Sequence, residues 1–313
     1  MEIRLQTHFH TIHSKRTIPT DSTISEEVAR KYGFFKDVVD AFVKTDHHTT
    51  EGTEHWKKMG NKYGVTVISG IEIDCREGHL AGIGIDEGIT TDIHKDMPVE
   101  LACKIIKKYN GLPFIVHPFA PHYGLGPEIL KGKNIDGIVE IHNSLLQFPE
   151  LDTYAHKLAK RMDAVKVVGA DAHCPEMVGL NITVVDADNK SEKSIIEALK
   201  ERRIILYDNV GIFPAENIKK SVLEKVRLSQ NELRGKIKYG WPADKKYMML
   251  ANSPFIKPLE YALLDYGVKN KESKLWDILT ILFYVGLNFK KEYNIHIKDR
   301  KIYKMLDSID LSS

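Results

Sequence analysis

The chain has 313 residues, 42% of them hydrophobic and 28% charged, with a formal net charge of +2. That length suits one sizeable domain with a buried core and a smaller one beside it, and the composition excludes a fibrous or disordered chain. Three scattered cysteines, Cys75, Cys103 and Cys174, form no C-x-x-C pair. They argue against a disulfide framework and a cysteine zinc site, and they predict a reducing, cytoplasmic setting.

In chain order, short β-branched runs at 3–7, 38–45, 65–73, 80–85, 112–116, 137–141, 165–168, 182–185 and 204–207 read as strands. Amphipathic stretches at 26–31, 53–62, 99–108, 151–161 and 192–202 read as helices between them. This alternation predicts βαβ units and a mostly parallel sheet, closed into a barrel or open. From about residue 214 the pattern turns helical, with helices expected over 218–233, 255–266 and 275–293. The expected division is therefore 1–213 as an α/β barrel and 214–313 as a mainly helical C-terminal region. The apolar run 275–289 contains Asp277 and is too short to span a bilayer, and no apolar leader opens the chain, so no membrane association is expected. The helices of that region are candidates for packing on the barrel or on a second subunit, as in a homo-oligomer.

Charge is unevenly shared. Residues from 216 onward hold 19 Lys and Arg against 12 Asp and Glu, whereas residues 1–215 hold 26 against 31. An acidic first part suits cation binding. The basic tail is read first as a solvated lysine-rich face and second as a contact for an anionic substrate.

The fourteen histidines carry the chemistry. His8 and His10 form an H-x-H pair after the first strand, where alternation sends both imidazoles to one side. Asp46-His47-His48 closes the second strand and Glu72 ends the third. His79 opens the fourth, His117 follows the fifth, Glu140 and His142 end the sixth, and Asp171-x-His173 ends the seventh. A single histidine after a strand is an ordinary loop residue. Eight imidazole and carboxylate groups at one edge of successive strands (His8, His10, His47, Glu72, His79, His117, Asp171 and His173) predict a metal centre where function collects in α/β folds. Nitrogen and oxygen donors without thiolate suit manganese, zinc or iron, and a carboxylate such as Glu72 is able to bridge two ions.

The ordered series His8-Phe9-His10-Thr11, Thr45-Asp46-His47, Gly70-x-Glu72, His79-Leu80-x-Gly82, His117-Pro118-Phe119 and Gly169-Ala170-Asp171-Ala172-His173 resembles the polymerase and histidinol phosphatase (PHP) family. The resemblance runs from residue 2 to about 210 and implies a distorted (β/α)7 barrel with two or three divalent ions. It implies one ion shared by His8, His10, Glu72 and Asp171, a second held by Glu72, His79 and His117, and a third approached by His47 and His173. The chain departs from the family where Lys15 and Arg16 stand in place of a further ligand. The third site is then empty, or weak, or completed by His13, or replaced by the Lys15 ammonium acting on a phosphate oxygen.

The expected activity is hydrolysis of a phosphate ester by a metal-bound hydroxide, with Glu72, Asp171 and His173 in catalytic roles. Lys15, Arg16 and His142 are substrate-binding candidates, and Asp46 is expected to orient a neighbouring ligand. Candidate partners are a small phosphorylated substrate or nucleotide and, second, nucleic acid. Cys174 beside His173 reads as a small buried thiol rather than a nucleophile, and Gly124-Leu125-Gly126 as a loop rather than an anion cradle. The competing readings are a metal-dependent amidohydrolase and a catalytically degenerate PHP-like, nucleic-acid-associated binding module.

Overall fold

The computed structural model describes residues 1–15, 24–120, 123–133, 135–144 and 149–210. The helices expected beyond residue 214, and with them the second region, lie outside the described residues, as does Arg16. Among the described residues no helix is long and apolar enough to cross a membrane.

Nine strands form one sheet: β1 (Glu2–Phe9), β2 (Ala41–Lys44), β3 (Thr66–Asp74), β4 (His79–Ile83), β5 (Leu112–Ile115), β6 (Ile138–Asn143), β7 (Lys166–Gly169), β8 (Ile182–Asp186) and β9 (Ile204–Asp208). Their order is β7-β6-β5-β4-β3-β2-β1-β8-β9. The helices are α1 (Glu26–Lys31), α2 (Thr53–Tyr63), α3 (Val99–Lys108), α4 (Gly126–Leu130), α5 (Pro149–Arg161) and α6 (Glu192–Lys200). Where caps form, they follow the expected chemistry. The Ser25 and Ser191 hydroxyls accept from Val28 N and Ser194 N at the starts of α1 and α6, and left-handed Gly64 ends α2.

The expectation of a mostly parallel sheet needs correction. β1 with β2, β2 with β3, β5 with β6 and β6 with β7 are parallel, but β3 with β4, β4 with β5, β1 with β8 and β8 with β9 are antiparallel. Between β3 and β4 the cause is connection length. Only residues 75–78 join β3 to β4, too few for a crossover, so the chain turns back through paired Cys75 and Gly78 backbone bonds. His79 consequently stands opposite Asp74, at the same end as the C-terminus of β3.

The sheet curls into a nearly closed, distorted barrel of the PHP type. Edge strand β7 meets β1 and β8 partly through side chains: Thr7 Oγ1 donates to Val168 O at 2.8 Å, and Val168 N donates to Thr183 Oγ1 at 2.9 Å. Inside lies an apolar cluster that includes Ile3, Leu5, Val43, Ile68, Phe114 and Val167, against which α6 packs Ile195, Ala198 and Leu199. The outward faces of β3–β7 pack Ile71, Ile73, Ile115, Val139 and Val168 against α3 through Ala102, Cys103 and Ile106.

Candidate metal centre

Several donor groups reach the mouth of the barrel by a local departure from regular structure. On β1 the pairing register shifts between Gln6 and Phe9, so His8 joins the side already held by Leu5, and its ring lies 6.1 Å from that of Phe114. On β3 simple alternation suffices, with Ile68, Glu72 and Asp74 in one row. His117 and Asp171 follow β5 and β7 with left-handed backbones, φ +28° and +52°. Such conformations cost free energy in non-glycine residues and gather at functional sites.

Glu72 is the centre. Its Oε2 lies 3.3 Å from His8 Nε2, 3.2 Å from His10 Nε2 and 3.2 Å from His47 Nε2. Its Oε1 lies 2.8 Å from His79 Nδ1 and 3.3 Å from His117 Nε2. Asp171 Oδ1 stands 3.3 Å from His8 Nε2 and 3.0 Å from His10 Nε2. Three convergent sets of ligand atoms result: His8, His10, Glu72 and Asp171; Glu72, His79 and His117; and His10, His47 and His173. The eight residues singled out in the sequence are all in these sets. His10 joins two of them, and His173 stacks on it at 4.3 Å between ring centroids.

These sets fit a cation. Buried Glu72 Oε1, Asp171 Oδ1 and His10 Nε2 have no hydrogen-bond partner, although the ligand atoms of the sets crowd around them. Buried polar atoms left this way are costly unless something satisfies them. The electrostatics agree. Burial disfavours a charge on Glu72 and on Asp171, yet the surrounding imidazoles, His47 for the first and His8 for the second, hold both carboxyls well below the usual range. Burial likewise opposes charging His8, but Asp171, Glu140 and Glu72 outweigh it and raise its pKa. Positive charge is favoured at this spot, and a divalent ion supplies it without protons.

Two buried carboxylates outside the three sets, Asp74 and Glu140, were not legible as partners in the sequence. Asp74 Oδ1 lies 2.9 Å from His47 Nδ1 and 3.4 Å from His79 Nε2, while Oδ2 lies 3.2 Å from His48 Nε2. Glu140 meets His8 Nδ1 at 3.2 Å. The available signal was spacing, since Glu72-x-Asp74 puts two carboxylates on one face of a strand.

Other expectations fare differently. Asp46 does not orient a histidine ligand. Its carboxylate accepts from Thr11 N at 2.5 Å and Thr11 Oγ1 at 2.6 Å, and pairs at 2.6 Å with fully buried Lys44, so it anchors the loop after β1. Lys15 is exposed on that loop, with its backbone N–H donating to His47 O. The His13 ring lies against Gly52, outside the three sets. A register shift between Glu140 and His142 turns His142 toward α5, where Nδ1 meets Asp152 Oδ2 at 2.5 Å. Burial, with Glu176 beside it, pushes the Cys174 thiol up to about 12, consistent with an inert role. Gly124 and Gly126 are packed against Pro118, where a Cβ would collide with the backbone, so these glycines serve close packing.

A buried imidazole–carboxylate centre at the mouth of a distorted, nearly closed barrel offers donor groups that fit divalent ions. Residues 153–204, which carry Asp171 and His173, match a family described as PHP-associated. An uncharacterised protein of Methanocaldococcus jannaschii is 34% identical over 119 residues, which are 38% of this chain and 63% of that protein. The chain thus spans less than two thirds of the curated relative it matches. Among solved structures, a two-domain protein from Bacteroides vulgatus containing a predicted PHP-like metal-dependent phosphoesterase superposes with a TM-score of 0.51 at 20% identity, over 65% of this chain and 64% of that one. That likeness shows the shared fold. A lesion-specific endonuclease from Pyrococcus furiosus gives a TM-score of 0.49 at 16% identity, over 66% of this chain and 58% of that one. It is too distant to bear on activity.

Proposed function

We propose that the chain is a metal-dependent phosphoesterase acting on a small phosphorylated metabolite, a nucleotide or an oligonucleotide end. The observation that carries this reading is the two-sided environment of Glu72, with Oε2 among His8, His10 and His47 and Oε1 between His79 and His117. A carboxylate so placed would help to hold two cations, one with His8 and His10 and one with His79 and His117. Two or three divalent ions, manganese, zinc or iron, would supply water activation and neutralisation of phosphoryl oxygens, the two requirements of phosphate ester hydrolysis at neutral pH.

The chain's own residues do the rest. Glu72 and Asp171, both held ionised, supply negative charge to the centre. Asp74 holds Nδ1 of His47, leaving Nε2 toward the centre. His173, less buried than His10 beneath it, stands where an incoming phosphate would meet it. Lys15 on the adjoining loop, with Arg16 next in sequence, brings positive charge to the rim for the substrate.

The amidohydrolase reading asks for a bridging carboxylated lysine. Among the described residues the three ligand sets contain no lysine, and the buried Lys44 is paired with Asp46 instead. The degenerate-module reading leaves buried carboxylates and imidazoles without a purpose.

Metal content by mass spectrometry, paired with an aryl phosphate assay, tests the proposal. Two or more equivalents per chain, with turnover abolished in Glu72→Ala, are expected. No bound ion and no turnover after reconstitution with manganese, zinc or iron would sink it.

A further inference from the structure

We propose that Glu140 selects which ring nitrogen of His8 faces the metal centre, making it a positioning residue for the ion held by His8, His10, Glu72 and Asp171. The inference rests on the metal-dependent reading above.

Glu140 is buried on β6 and belongs to none of the three ligand sets. Its Oε1 meets His8 Nδ1 at 3.2 Å, while Oε2 accepts from His117 N at 2.6 Å and from Asn143 Nδ2 at 2.9 Å. With Oε2 already accepting from two N–H donors, Oε1 is placed to accept from His8, which puts the His8 proton on Nδ1. The Nε2 lone pair then points at the space shared with Glu72 and Asp171, each 3.3 Å away. A neutral imidazole has one lone pair to give, and the opposite tautomer would present a hydrogen to the ion.

The surroundings keep Glu140 in this pose. A side chain at residue 169 would run into Glu140 Oε1, so Gly169 leaves the room it needs. The register shift after Glu140 brings Asn143 round to the same carboxylate. Through Oε2 the same group steadies the left-handed backbone of His117, a member of the second set.

Glu140→Gln separates these duties. Two donors, His117 N–H and Asn143, require the amide oxygen on their side, which turns the NH2 group toward His8 Nδ1. His8 must then accept at Nδ1 and carry its proton on Nε2, closing the lone pair to the ion. His117 keeps its acceptor and the near-isosteric side chain keeps the packing.

The experiment is titration of chelator-stripped full-length protein with Mn2+ and Zn2+ by calorimetry, for wild type, Glu140→Gln, His8→Ala and the double variant. We expect the melting temperature of stripped Glu140→Gln to stay near wild type while binding of one equivalent weakens about 10–100-fold. In the His8→Ala background the Gln substitution should change binding by less than about twofold, because its partner is gone. Wild-type affinity in Glu140→Gln, or an equal loss in both backgrounds, overturns the proposal while leaving the metal reading intact. Wild-type protein that binds no ion overturns both. Imidazole nitrogen NMR of zinc-loaded wild type needs no variant: a His8 proton on Nδ1 supports the assignment, and one on Nε2 overturns it.

Discussion

The inside of the barrel has two layers made from the same strands, and they follow different rules. In the lower layer Ile3, Leu5, Val43, Ile68, Phe114 and Val167 meet the apolar face of α6, and position follows alternation along regular strands. In the upper layer His8 depends on a register shift in β1, His79 on a four-residue reversal, and His117 and Asp171 on left-handed backbones. The two left-handed residues cost on the order of 1–3 kcal/mol each. The lower layer therefore makes the fold, and the upper layer spends part of that stability on bringing like groups together. Substitutions in the two layers should have separable effects.

The largest effect is expected at Glu72, the one residue whose two oxygens serve two ligand sets. Glu72→Ala should reduce phosphoesterase turnover by more than about a thousandfold, or about 4 kcal/mol of activation free energy, while circular dichroism stays native. Retained turnover at a tenth of wild type would mean that the upper layer is not the reacting centre. β1 then offers both layers on one strand. Leu5→Ala should destabilise the protein by about 3–4 kcal/mol in urea unfolding, with ion equivalents per folded chain unchanged. Loss of ions in that variant would show that the layers are coupled rather than separable.

The sequence already exposed much of this arrangement, and what it hid has physical reasons. Nine strands stand close to where β-branched runs lie, because period-two burial is written in residue type. His8, His10, His47, Glu72, His79, His117, Asp171 and His173 were visible because their donors recur just beyond those runs. Strand direction was hidden, since the alternation of helix and strand says nothing about the four residues that turn β3 back into β4. The short α4 was hidden inside a glycine-containing loop. Glu140 read as a strand end and His142 as a substrate contact, whereas alternation from Ile138 sends the first inward and a register shift turns the second to Asp152. A one-residue slip is invisible to periodicity yet exchanges the faces of everything after it. Asp46 has a non-local partner of its own: Thr11 meets it only once the loop after β1 has folded back, while Lys44 reaches it from two residues earlier on β2.

Removing the ions should act next in size. Ligands that bind only the folded state stabilise it by mass action, about 2.7 kcal/mol when free ion exceeds Kd a hundredfold. A chelator should therefore lower the melting temperature by roughly 4–6 °C in a protein of this size. The shift should vanish in His8→Ala if that ligand set carries most of the linkage, and it should persist in Leu5→Ala. An unchanged melting temperature on chelation would remove the upper layer's role in stability.

The smallest effect probes the lower layer from outside the barrel. Ser191 caps α6: its hydroxyl accepts from Ser194 N at 3.2 Å, while the next residue, Glu192, accepts from Ser69 N of β3 at 2.8 Å. α6 thereby presents Ile195, Ala198 and Leu199 to the interior cluster. Removing the hydroxyl leaves one N–H at the helix start to water, a loss of about 1 kcal/mol. Ser191→Ala should lower the unfolding free energy by that amount and leave ion stoichiometry and turnover at wild-type values. The Glu192 bond keeps the helix docked, so a loss above about 2 kcal/mol would mean that the cap holds α6 in register over the cluster, and that the lower layer is specified by this one contact more than by its packing.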